Sequence, residues 1–273
     1  MRLVNGVAAE SLPLADRAIQ FGDGIFRTIK MIGGQPQFWA RHYRKLCADC
    51  AALGIAAPDE ATLLEEIGQL RVQSGFFDAT IKIIVTRGES ARGYVIPPDC
   101  VPNHIVQIAP LHLYPESLYR DGVCLRLCAT RASWQPALAG IKHLNRLENV
   151  LARREWSDPA LFDGLMLDRD GCVIEGVMSN VLLLKDGILA TPDLSESGVA
   201  GVMRELALAA AARLGWPVEI RAIRLDELRA ADAVWICNSL IGLMPVSRMD
   251  ETCWQPNLDL LRVATEISME ENP

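Results

Sequence analysis

The stretch GIKHLNRLEN, residues 140–149, places Lys142 between a loop and the start of a predicted helix. The helix is expected from about Leu144 to Trp156. The chain has five lysines against 22 arginines, so few amines are available for chemistry. A lysine among apolar neighbours is partly desolvated, which lowers its pKa and favours the neutral, nucleophilic amine. On position alone, an ordinary cation near a helix start is the more common interpretation.

A carboxylate follows in the stretch DRDGCVIEG, residues 168–176. Its Asp-Gly turn predicts a hairpin that carries Glu175 into an apolar sheet. A carboxylate in such surroundings needs a partner. A pyridinium nitrogen would serve, and Glu175 would keep that nitrogen protonated.

A phosphate site is indicated by the stretch GVAGVMR, residues 198–204, which leads into a helix predicted over 202–214. Backbone N–H groups at the start of a helix bind phosphate. An amine, a buried carboxylate and a phosphate cradle are what pyridoxal 5′-phosphate requires.

The pattern of helices and strands predicts an α/β fold with mixed sheets in two domains. The expected division is an N-terminal domain over 1–109, a linker over 110–115 and a C-terminal domain over 116–273 that carries Lys142. Strands are predicted at 21–31, 79–86, 104–109, 122–129, 164–168, 172–176, 180–185, 217–223 and 233–237, and helices at 39–53, 60–73, 144–156, 202–214 and 257–269.

Composition excludes several classes of protein. The net charge of −7 argues against nucleic acid as the main partner. No stretch reads as a secretory signal or a membrane span, so we expect a cytoplasmic protein with no membrane partner. The eight cysteines are expected to be reduced thiols. Cys47 and Cys50 form one Cys-x-x-Cys pair, the alternative being a metal or redox site, but such a site needs a second pair or nearby histidines, and the four histidines show no metal-ligand spacing.

Taken together, these motifs resemble the fold-type IV pyridoxal-phosphate enzymes of aminotransferase class IV. That family contains branched-chain aminotransferases, D-amino-acid aminotransferases and 4-amino-4-deoxychorismate lyases. The likeness covers nearly the whole chain, through the following motifs: Asp16-Arg17, FGDGIF at 21–26, Lys142, Glu175, Ser179-Asn180, GVMR at 201–204, Asn238-Ser239 and MPV at 244–246. Within the family, IKHLNRLE at 141–148 and Arg87-Gly88 followed by Arg92-Gly93-Tyr94 are most similar to the lyases.

The resemblance implies roles for individual residues. Lys142 corresponds to the Schiff-base lysine, and Glu175 to the carboxylate on the pyridine nitrogen. Catalytic roles fall on Lys142 and Thr28. The implied cofactor-binding residues are Lys142, Glu175, Lys45, Ser179, Asn180, Val202, Met203, Asn238 and Ser239, and the implied substrate-binding residues are Phe26, Thr28, Arg92 and Tyr94.

One position departs from the family pattern. The family usually has an arginine that grips the phosphate in a His-x-x-Arg-Leu segment, and here HYRKL at 42–46 puts Lys45 there. Lys45 can pair with phosphate as a point charge without the bidentate fork of arginine. Arg44 is the alternative contact, although one residue along a helix turns it about 100° away. Lys30, Lys82 and Lys185 are expected in ordinary strand or turn positions.

The resemblance also implies an activity. A lyase of this kind converts 4-amino-4-deoxychorismate to 4-aminobenzoate and pyruvate in folate biosynthesis. The alternative is a D-amino-acid or branched-chain aminotransferase of the same fold. The family implies a small-molecule substrate and a homodimer, in which Arg92 acts on its own site or on that of the partner subunit.

Overall fold

The computed structural model describes residues 1–257 and 259–271. Contacts between Cα atoms divide it into two compact units. The first unit is Met1–Leu113 with Ile141–Asn145, and the second is Tyr114–Gly140 with the chain from Arg146 onward. The boundary at 113 and 114 falls within the linker expected at 110–115, whereas the segment with Lys142 groups with the first unit. Within the described residues, no helix is long and apolar enough to cross a membrane.

The first unit is a six-stranded sheet of order β2-β1-β6-β5-β3-β4 with three helices. The long strands β3, β5 and β6 are antiparallel neighbours. The bounds are β1 Arg2–Val4, β2 Val7–Ala8, α1 Arg17–Phe21, β3 Gly24–Ile32, β4 Gln35–Pro36, α2 Trp39–Ala52, α3 Glu60–Ser74, β5 Ala79–Thr86 and β6 Asn103–Pro110.

One face of this sheet is buried under α2 and α3. Side chains alternate along β3, so Ile25, Arg27 and Ile29 are buried while Phe26 and Thr28 are partly exposed. The buried face packs against apolar side chains of α2 and α3. Each fully buried side chain of this kind contributes about 1.5–3 kcal/mol relative to an exposed one. The side chains of β3 thus alternate between a buried and a partly exposed face.

The two long helices of this unit, α2 and α3, follow the predicted boundaries to within one residue. The Asp59 side chain accepts a hydrogen bond from the N–H of Thr62, and Gly75 ends α3 in the left-handed conformation at φ 71°. The strand predicted from residue 21 begins only at Gly24, because Arg17–Phe21 forms the short helix α1, capped by the side chain of Asp16.

The second unit is a nine-stranded mixed sheet with five helices among its described residues. The strand order is β12-β11-β10-β13-β14-β7-β8-β9, with β15 beside β14. The bounds are α4 Glu116–Asp121, β7 Val123–Leu127, α5 Leu147–Arg153, β8 Leu161–Leu167, β9 Val173–Gly176, β10 Asn180–Lys185, β11 Ile188–Pro192, α6 Val202–Arg213, β12 Val218–Arg221, α7 Leu225–Arg229, β13 Ala233–Asn238, β14 Gly242–Met249, β15 Thr252–Cys253 and α8 Asp259–Glu271.

Strand β14 is an inner strand that the sequence patterns did not indicate. It contains Pro245, and proline is normally confined to edge strands because it has no N–H to donate. Here β14 pairs antiparallel with β13 and, from Val246 on, parallel with β7. Both units combine helices and strands, and the sheet of the second unit mixes parallel and antiparallel pairs. The predicted α/β fold class with mixed sheets is therefore confirmed.

Candidate active site

Lys142 lies in an extended segment that pairs with the start of β3. The Phe26 N–H donates to the Lys142 carbonyl at 2.9 Å, and the Leu144 N–H donates to the Gly24 carbonyl at 2.9 Å. Ile25 and His143 form an antiparallel bridge in the same place. The helix expected from Leu144 begins only at Leu147, because Lys142 and His143 pair with β3 and the chain bends at Leu144. Lys142 is therefore fixed by a strand of the first unit.

The partly exposed face of β3 collects two ammonium groups around one ring. The Lys142 Nζ lies 4.6 Å from the centroid of the Phe26 ring, and the Lys82 Nζ lies 5.4 Å from it. Both distances are within range of a cation–π interaction. Lys82 is directly opposite Thr28 in the pairing of β3 with β5. The Lys82 and Lys142 side chains thus form a cationic patch around the Phe26 ring, and Thr28 lies on the same face of the sheet.

Lys82 is a candidate residue that the sequence interpretation treated as ordinary. The strand pattern of β5 alternates, and Lys82 falls on the partly exposed face of the sheet. The alternation was visible in the sequence. The pairing of Lys82 with Thr28 was not, because register between distant strands depends on the folded sheet.

The buried face of β3 carries a charged cluster beneath the lysine segment. Arg27 and Asp49 are both buried and form an ion pair, and Lys45 pairs with the same carboxylate. Asp49 also accepts the backbone N–H of Lys142 at 3.1 Å. Burial lowers the pKa of Arg27 to about 10. This value is still well above neutral pH, so the guanidinium remains charged there. The structure therefore places Lys45 on Asp49, while Arg44 is exposed.

His42 is buried beside this cluster. Burial first, and then the charges of Arg27 and Lys142, lower the pKa of His42 to about 3. The imidazole is therefore neutral at physiological pH.

Arg92 and Tyr94 lie in an exposed loop that a buried arginine anchors. Tyr94 is 84% exposed, with its ring 5.2 Å from that of Phe21. Arg17 donates to the carbonyls of Gly93, Tyr94 and Val95 at 3.3 Å each and to the Ser90 hydroxyl at 3.0 Å.

A carboxylate links this anchor to a second arginine. Asp23 accepts from Arg17 at 2.8 Å and from Arg87 at 2.7 Å. Burial raises the pKa of Asp23, but the hydrogen bonds from Arg87 and Arg17 outweigh burial and the net pKa is lowered. The sequence motifs around Arg17 and Arg87 indicated the family without indicating this role.

Glu175 lies in β9, all four residues of which are buried. Its carboxylate accepts the N–H of Val199 at 2.8 Å. Arg146 is half-buried just before α5. Burial lowers the pKa of Arg146, and Glu175 and Glu148 act in the opposite direction.

Asn180 builds the turn that precedes α6. Its Nδ2 donates to the Val199 carbonyl at 2.8 Å, and its Oδ1 accepts the N–H of Gly201 at 3.1 Å. A Cβ at Gly201 would lie 2.2 Å from that Oδ1, so only glycine fits. No side chain caps the helix at Gly201, and Val202 and Met203 are its first two residues. Backbone N–H groups at a helix start that no side chain caps are available to bind an anion.

Asn238 and Ser239 lie where β13 ends. The Asn238 Oδ1 accepts the N–H groups of Leu240 and Ile241 at 2.9 and 3.0 Å, which forms a turn. The Asn238 Nδ2 donates to the Met178 carbonyl at 3.0 Å. The turn with Ser239 is thereby tied to the residues beside Ser179.

Comparison with known proteins places these features in one family. The family model described as amino-transferase class IV matches residues 24–249, and the chain belongs to this family. The chain is 40% identical over 248 residues to an aminodeoxychorismate lyase of Vibrio harveyi. This match covers 89% of this chain and 89% of that protein.

Two further comparisons bear on its relatives. The crystal structure of 4-amino-4-deoxychorismate lyase from Pseudomonas aeruginosa matches with a TM-score of 0.93 and 42% identity, over 99% of both chains. A D-alanine aminotransferase of Bacillus licheniformis is 28% identical over 241 residues, or 88% of this chain and 83% of that protein.

Proposed function

We propose that the protein is a pyridoxal-phosphate-dependent lyase that converts 4-amino-4-deoxychorismate to 4-aminobenzoate and pyruvate. The observation that carries this proposal is the likeness to aminodeoxychorismate lyases over nearly the whole chain, at a higher identity than to the aminotransferase. Folate biosynthesis in the cytoplasm is the corresponding cellular role.

The residues fit the cofactor in each unit. The first unit offers the Lys142 amine, whose backbone is held on both sides by hydrogen bonds. The second offers a buried carboxylate at Glu175 and a helix start without a side-chain cap at Gly201. These are the groups that would bind the aldehyde, the ring nitrogen and the phosphate of pyridoxal phosphate.

We assign the further cofactor contacts by the same resemblance. The phosphate-binding turns would consist of Ser179, Asn180, Val202, Met203, Asn238 and Ser239. Lys45 would contribute charge near the phosphate while it stays paired with Asp49.

Bound pyridoxal phosphate supplies an electron sink for the carbon that carries the substrate's amino group. The Lys142 amine would be the base that removes the proton from C4 of the substrate. Its Nζ then returns a proton to the departing enolpyruvyl group, assisted by the Thr28 hydroxyl. Loss of that group from C3 makes the ring aromatic. Glu175 holds the proton on the pyridine nitrogen throughout.

Lys142 is the residue on which this proposal is tested. Reduction of the cofactor-loaded protein with borohydride, followed by peptide mass spectrometry, should place the cofactor on the peptide that contains Lys142. The variant Lys142→Ala should give no labelled peptide, and Lys30→Ala, on the same strand face as Thr28, should be labelled like the wild type. A label that persists in Lys142→Ala would contradict the assignment.

Lys82 would bind a substrate carboxylate together with the loop residues Arg92 and Tyr94. The substrate has two carboxylates, and the Lys82 ammonium lies beside Phe26 on the face that carries Thr28. Lys82→Met should raise KM by about tenfold with a smaller change in kcat, because one charge-assisted contact is lost. Lys185→Met, a substitution at a surface ion pair, should leave both constants unchanged.

The proposed assembly is a homodimer, as in the family. Apolar side chains on α5 support it, because Leu147 and Val150 are more than half exposed. Exposed apolar patches of this kind mark association surfaces.

A further inference from the structure

A buried carboxylate that none of the sequence motifs contains lies behind the predicted cofactor residues of the second unit. Asp163, in β8, is 1% exposed. It accepts the Ser179 hydroxyl at 2.7 Å, the Gly164 N–H at 2.8 Å and the Met178 N–H at 3.4 Å. All three groups donate, and between them they donate to both oxygens of Asp163. A carboxylate accepts at both oxygens, whereas a side-chain amide has only one oxygen.

These contacts fix the turn of residues 176–179, which joins β9 to β10. The Val177 N–H donates to the Gly164 carbonyl at 2.9 Å, and the Gly176 N–H donates to the Ser179 carbonyl at 2.7 Å. A Cβ at Gly176 would lie 2.5 Å from the Asp163 Oδ2 and 2.4 Å from the Ser179 Oγ. The turn therefore packs directly onto the carboxylate.

The same turn is connected to every proposed cofactor site of this unit. Glu175 is the residue before it, and Asn180, which clamps the start of α6, is the residue after it. Asn238 binds it through the Met178 carbonyl at 3.0 Å. A shift of the turn would move all three residues together.

The charge of Asp163 has a cost that points to a role. Burial raises its pKa to about 6, although the hydrogen bonds from Ser179 and the backbone N–H groups act in the opposite direction. At neutral pH the carboxylate is thus ionised inside the sheet, where an apolar residue would carry no desolvation cost.

We propose that Asp163 is a positioning residue for the cofactor, whose carboxylate holds the turn of residues 176–179 and with it Glu175, Ser179, Asn180 and Asn238 in the arrangement that binds pyridoxal phosphate. This inference rests on the proposed function. Asp163 itself contacts only the protein, and it acts through the turn.

Titration of cofactor-free protein with pyridoxal phosphate tests the inference, with quenching of tryptophan fluorescence as the readout. Asp163→Asn places an amide donor against the N–H and O–H donors, so its Kd should rise by about tenfold or more. Asp163→Ala should raise it at least as much. Asp170→Asn, the same substitution at an exposed site on the neighbouring hairpin, should leave Kd unchanged.

A second arm separates positioning from general stability. Each Kd is measured well below the Tm of the cofactor-free variant, where a purely structural loss does not affect binding. Ser179→Ala should weaken binding, and combining it with Asp163→Asn should add little, because both substitutions act on one turn. If Asp163→Ala does not fold, Asp163→Asn and this cycle decide the question.

The outcomes are distinct. A wild-type protein that binds no pyridoxal phosphate would overturn the proposed function and the inference together. A wild type that binds, with Asp163→Asn binding equally well, would overturn the inference alone, even if Tm falls. Full additivity of the two substitutions would also overturn it.

Discussion

His42 shows how burial of a single residue couples this fold to pH. Its pKa is about 3 in the folded protein and 6.5 as an ordinary histidine, so the unfolded chain binds the proton more readily. The stability that neutral His42 contributes is therefore fully present above pH 6.5, and it is lost as the pH falls from there toward 3. The neutral imidazole is a condition for the packing of α2 beneath β3.

The variant His42→Gln should remove this dependence. Between about pH 7 and pH 5, the wild type should lose about 2 kcal/mol more unfolding free energy than the variant. Urea unfolding at the two pH values measures the difference. His112→Gln, at an exposed position, should behave like the wild type. An equal loss in wild type and His42→Gln would show that another group controls the acid response.

Single residues differ in how far the sequence alone could identify them. Lys142 and Glu175 were proposed from the sequence because the motifs around them, taken together, resemble one family, whereas the position of Lys142 alone favoured an ordinary cation. Lys82 meets Thr28 through strand pairing, and Asp163 meets Ser179 in the turn after β9. The residues beside Lys82 and Asp163 in sequence are apolar or glycine and do not indicate these contacts. Tertiary contacts of this kind are absent from a local pattern.

At the scale of elements, β3 and α2 are joined by the ion pair of Arg27 and Asp49. Both side chains are buried, so if one of them is removed, water cannot take its place as the partner of the other. The pair also holds the lysine segment, since Asp49 accepts the Lys142 N–H.

Asp49→Ala should destabilise the protein by about 3–5 kcal/mol, because it leaves the Arg27 charge buried without this partner. The double variant Arg27→Leu with Asp49→Leu should recover the part of that loss that comes from the unpaired Arg27 charge. The part that comes from Lys45 and the Lys142 N–H, which still lose their acceptor, should remain. Thermal and urea unfolding of the cofactor-free proteins measure both values. A loss below about 1 kcal/mol for Asp49→Ala would mean that the pair does not couple the two elements.

Most helices and strands could be predicted from periodicity and caps, and two exceptions show the limit. Residues 17–21 form a helix because the Asp16 side chain caps it, and this helix takes in Phe21, which was expected to begin a strand. Lys142 and His143 lie outside the predicted helix because they pair with β3, more than 100 residues earlier in the chain. Contacts over such separations override local propensity.

At the scale of the whole molecule, the chain forms two units and belongs to the class IV aminotransferase family. Membership in that family leaves the reaction to be tested directly, because its relatives include both lyases and aminotransferases. The motifs around Lys142 and Arg87 favoured the lyases, and the comparisons agree. The shape of the substrate pocket is set by side chains from many elements, so no single motif predicts it.

The most direct test is the product formed by the purified, cofactor-loaded protein. Incubated with 4-amino-4-deoxychorismate, it should release 4-aminobenzoate and pyruvate in equal amounts, and Lys142→Ala should release neither. Incubated with D-alanine and 2-oxoglutarate, the wild type should form no D-glutamate. D-Glutamate in the second reaction without 4-aminobenzoate in the first would contradict the lyase assignment and identify an aminotransferase.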